Sequence, residues 1–182
     1  MLKRLSCFAF CVILLIVCTG CSNGKSDVAI QVGKVAWEAI KEDNNVSKNN
    51  VIINMMSFDS LSNLKSRFSN IPSKTWEYLP ASGWLVEIET STDAYFVAVK
   101  SDMTVSNFCY SKSYAEKTIN DAKNETDPIG AMFSSTIISL WGGHELLRAE
   151  FDILAYPEVV ADTADNLVIH RLTDKTINKI IN

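Results

Sequence analysis

Past residue 21 the chain holds a single cysteine, Cys109, and two histidines, His144 and His170. A thiol becomes a nucleophile when an imidazole takes its proton, so Cys109 with His144 or with His170 is the nucleophile and base pairing on offer. No local signature accompanies it, and Cys109 stands between Phe108 and Tyr110 at the end of an expected strand. There a cysteine packs as a small hydrophobe, and the packing role is favoured. Glu87 and Glu89 stand two apart, hence on one face of a strand, where carboxylates can trade protons but more often face water. Asp162 and Asp165 offer oxygens to calcium without the glycine-centred loop such sites use. The sequence has no Gly-x-Ser-x-Gly elbow, no phosphate-cradling glycine loop and no dinucleotide fingerprint. No catalytic residue, metal ligand or cofactor is therefore assigned.

His144-Glu145-Leu146-Leu147-Arg148 superficially resembles the zinc-peptidase helix motif. That motif needs a second imidazole four residues after the first, and here Arg148, which carries no lone pair for a metal, takes the place. His144 then reads as a surface or loop histidine beside Gly142-Gly143.

The first residues carry a more specific pattern. Lys3 and Arg4 precede an apolar run from Leu5 to Val17 broken only by Ser6, and the small residues Thr19 and Gly20 lead to Cys21. This is the order of a secretory signal, and the run falls short of the roughly 20 residues that span a bilayer. Cys18-Thr19-Gly20-Cys21 resembles the lipobox of bacterial lipoproteins, with Cys18 where the family usually has leucine. The resemblance covers residues 1–22. It implies a signal peptide over 1–20, cleavage before Cys21, and acylation of Cys21 that holds the chain on a bacterial cell membrane or outer membrane, facing outside the cytoplasm. Two or three acyl chains hold where one does not, since each buried methylene contributes about 0.8 kcal/mol. Residues 21–26 then read as a short lipidated tether, polar and glycine-containing.

Cleavage would leave 162 of the 182 residues, enough for one domain over 27–182. It removes Lys3 and Arg4 and no acid, leaving 15 basic against 21 acidic side chains. Nucleic acid is thus not an expected partner. With Cys109 alone in the body no internal disulfide can form, and the core must hold the fold.

Periodicity predicts the elements. Val28, Val32, Val35, Ala36, Ala39 and Ile40 recur three and four apart in a helix over 27–41. Val51–Asn54 reads as a strand, and a brief helix with Leu61, Leu64 and Phe68 begins near Asp59. From about 83 to 110 a three-strand antiparallel meander is expected, with turns at Thr90–Asp93 and Ser101-Asp102. Ser113-Tyr114-Ala115-Glu116 matches a capping box for a helix to about Lys123. Asp127-Pro128 opens an apolar helix, Ile129–Trp141, expected in the core and ended by Gly142-Gly143. Beyond the glycines a strand is slightly favoured over a helix, then Leu167–Leu172 as a strand and a terminal helix with Ile177, Ile180 and Ile181. Helices intermixed with short antiparallel strands give an α+β class, one small domain with the meander packed against several helices.

Trp76 and Tyr78, in a proline-bounded segment before the meander, are expected at the surface as a binding site. The sequence thus supports a membrane-anchored envelope lipoprotein, a non-catalytic binding or assembly module for an envelope protein or cell-wall component. The alternatives are a cell-envelope hydrolase using Cys109 with a histidine, or a small solute-binding lipoprotein.

Overall fold

The computed structural model describes residues 24–41, 46–155 and 168–182. The signal peptide, Cys21, Asp162 and Asp165 lie outside them. Helix α1 (Gly24–Lys41) is followed by β1 (Ile52–Phe58), α2 (Leu61–Arg67) and a 3-10 helix (Ser73–Tyr78). Then come β2 (Gly83–Glu89), β3 (Ala94–Lys100), β4 (Val105–Ser111), α3 (Lys112–Lys123), α4 (Pro128–Ala155), β5 (Val168–Arg171) and α5 (Asp174–Ile181). The chain folds as one small α+β domain.

The meander forms as its alternation and short turns require: β2 pairs antiparallel with β3, and β3 with β4. Strand β1 joins the other side of β2, with Met55 opposite Val86, and β5 joins β1, giving the order β4-β3-β2-β1-β5. Gly83 has φ of +150°, and a Cβ there would stand 2.2 Å from the Val99 carbonyl oxygen, so only glycine lets β2 and β3 approach at this point.

Helices cover both faces of the sheet. Helices α1 and α5 lay Val32, Ala36, Trp37, Ile177 and Ile180 on Ile53, Val86, Ile88 and Val97. On the other face α2, the 3-10 helix and α4 pack Leu64, Trp76, Leu147 and Phe151 against Met56, Leu85, Phe96 and Phe108. Because period-2 strands are here covered twice, β2 and β3 bury residues on both sides.

Several expectations need correction. Gly24–Ser26 belong to α1 and not to a loose tether. The cap of α3 is Ser111, which accepts from the Tyr114 amide at 3.3 Å, while Ser113 donates through both its amide and its hydroxyl to Asp93. Asp127 does cap α4, accepting from the Gly130 amide at 2.8 Å. That helix does not stop at Gly142-Gly143 but runs on to Ala155, so 147–153 is helical and not a strand. Glycine in a helix interior costs only about 1 kcal/mol, too little to break a helix that buries Leu147 and Phe151 beyond it. The amino-terminal half of α4, expected in the core, is mostly exposed, with Ile129 at 69%, Met132 at 74% and Phe133 at 68%.

Candidate functional site

The polar groups worth most attention lie under α4, where the helix crosses the sheet. Glu87 comes from the middle of β2, on the same side as Leu85, and α4 covers it completely, leaving it 0% exposed. It is therefore not the solvated strand glutamate its spacing suggests. Arg148 reaches down from α4, and its Nη1 donates to Glu87 Oε1 at 3.0 Å and to Asp152 Oδ2 at 2.9 Å. Asn54 of β1 donates from Nδ2 to Glu87 Oε2 at 3.0 Å, and Glu145 lies 3.7 Å from Arg148 Nε.

Burial, followed by a hydrogen bond with Asp152, pushes the Glu87 carboxyl up to about 8, against the weaker pull of Asn54. At neutral pH Glu87 thus keeps its proton, and its contact with Arg148 is a hydrogen bond to a neutral carboxyl. Arg148 itself is desolvated, yet the acidic groups packed around it, Asp152 and Glu145 foremost, hold its guanidinium above the ordinary range. Glu87, Glu89 and Asp152 bring carboxylate oxygens within 4.8 Å of one another, as a cation site would. The Arg148 guanidinium already bonds two of the three, and a buried cation beside it would be repelled.

One turn earlier on α4 lies His144, buried at 2% exposure and not at the surface as its glycine neighbours suggest. Its ring is enclosed by Phe108 at 4.2 Å between centroids, Trp141 at 4.9 Å, Tyr110 at 5.0 Å and Tyr78 at 5.9 Å. Among the described residues neither ring nitrogen has a hydrogen-bond partner, nor do Tyr110 Oη, Thr75 Oγ1, Glu145 Oε1 and Arg148 Nε. Desolvation lowers His144 to about 4 and raises the Tyr110 phenol well above its usual value. His144 is accordingly a neutral aromatic ring in this packing. Gly143 makes its approach feasible: a Cβ there would fall 2.0 Å from Thr75 Oγ1 on the 3-10 helix.

The residues named from the sequence fare differently. Cys109 is exposed, not packed, because Phe108 and Tyr110 take the inward positions of β4 and leave the thiol on the opposite side. Crowding by neighbouring atoms still raises its pKa. Since His144 touches Phe108 and Tyr110, it lies on the sheet face away from Cys109. His170 is on β5, at the far edge of the sheet from β4, about 19 Å away over four strand spacings. The structure brings neither histidine to the thiol. Trp76 is 7% exposed and belongs to the core, because the 3-10 helix lays it under α4, while Tyr78 is half-buried against His144. The expectation of an exposed Trp76 is not met.

The Glu87–Arg148 pair escaped sequence reasoning because its members are 61 residues apart and each reads locally as a solvated charge. The single available signal was Arg148, Glu145 and Asp152 at three- and four-residue spacing around Leu147 and Phe151. No protein family, curated protein or solved structure matches the chain.

Proposed function

We propose that this chain is a bacterial envelope lipoprotein, held on a membrane by acyl groups on Cys21, whose α+β domain is a non-catalytic binding or assembly module. The observation that carries the reading is the leader itself: a basic start, a short apolar run, and Gly20-Cys21. Support comes also from α1, which among the described residues is already helical at Gly24, three positions after Cys21. A domain tethered so closely stays against the bilayer and meets its partners there. The polar cluster under α4 is closed over by side chains and serves to position α4 on the sheet. The surface that suits a partner is the exposed apolar half of α4, in place of the buried Trp76.

The test is a Cys21→Ser variant compared with the unaltered chain in a bacterial host. The unaltered protein should fractionate with membranes and show acyl mass at Cys21, and the variant should lose both. Equal membrane retention without acyl mass would end the reading.

A further inference from the structure

We draw no further inference here: the strongest candidate, the exposed apolar surface that Ile129, Met132 and Phe133 give the first turns of α4, carries none because nothing in the structure shows what covers it.

Discussion

Glu87 and Arg148, joined at 3.0 Å, tie the centre of the sheet to the helix that crosses it. The tie is made between a carboxyl that burial keeps protonated and a guanidinium that two other carboxylates keep charged. Removing one side of such an arrangement leaves the other buried without a partner. Arg148→Met should cost about 1–3 kcal/mol in chemical denaturation, the range for leaving buried hydrogen-bonding groups unsatisfied. Glu87→Gln, which keeps the shape and both acceptor and donor capacity, should cost far less at pH 7. Equal losses for the two would mean that Glu87 is ionised in the fold.

Stability should depend on pH through two groups of opposite sign. Glu87 is raised to about 8, so the folded state binds its proton where the unfolded chain has released it, and stability falls as pH climbs from about 4.5 to about 8. His144 is lowered to about 4, so the unfolded chain binds the proton first, and stability falls as pH drops from about 6.5 to about 4. Each slope is on the order of 1.4 kcal/mol per pH unit. Between about 4.5 and 6.5 these two cancel, and above 6.5 the Glu87 slope is no longer offset by His144. Melting midpoints across pH 4–9 should show a plateau and then a decline, and Glu87→Gln should remove the decline and expose a loss on the acid side. A variant whose alkaline decline persists would refute the assignment to Glu87.

The two glycines of α4 should answer differently to alanine. Nothing lies within 4 Å of a Cβ at Gly142, whereas a Cβ at Gly143 meets Thr75 Oγ1 at 2.0 Å and Pro72 Cδ at 3.1 Å. Gly142→Ala should stabilise by about 0.5–1 kcal/mol through helix propensity. Gly143→Ala should instead destabilise by about 1–3 kcal/mol, as overpacking does. Thermal melts of the pair give the comparison directly.

Exposure separates Cys109 from Trp76. Cys109 should react with iodoacetamide in the native protein, slowly because its thiol is raised, and Cys109→Ala should change stability by no more than about 0.5 kcal/mol. Trp76→Ala should cost about 3–5 kcal/mol. A cysteine that stays unlabelled until denaturant is added would contradict the outward position on β4.

The contrast shows where sequence reasoning succeeds here. The meander, α1 and α5 were legible because local alternation or helical spacing agreed with tertiary burial, as at Val86 and Ile88 or Ile177 and Ile180. At Glu87 and His144 local polarity pointed outward, and long-range packing by α4 overrode it. At Ile129, Met132 and Phe133 the reverse holds: apolar residues usually mark a core, and these stand exposed on the first turns of α4. Local spacing alone does not distinguish an apolar helix that is buried from one that is not.

Helix α5 lies on α1, with Ile180 beside Gly33, and β5 completes the sheet next to β1. Part of the cover of α1 and β1 is therefore supplied by residues more than a hundred positions further along the chain. Until 168–181 dock, Val32, Ala36 and Ile53 lack that cover, so closing this face of the sheet is a long-range event with a correspondingly large loop to close.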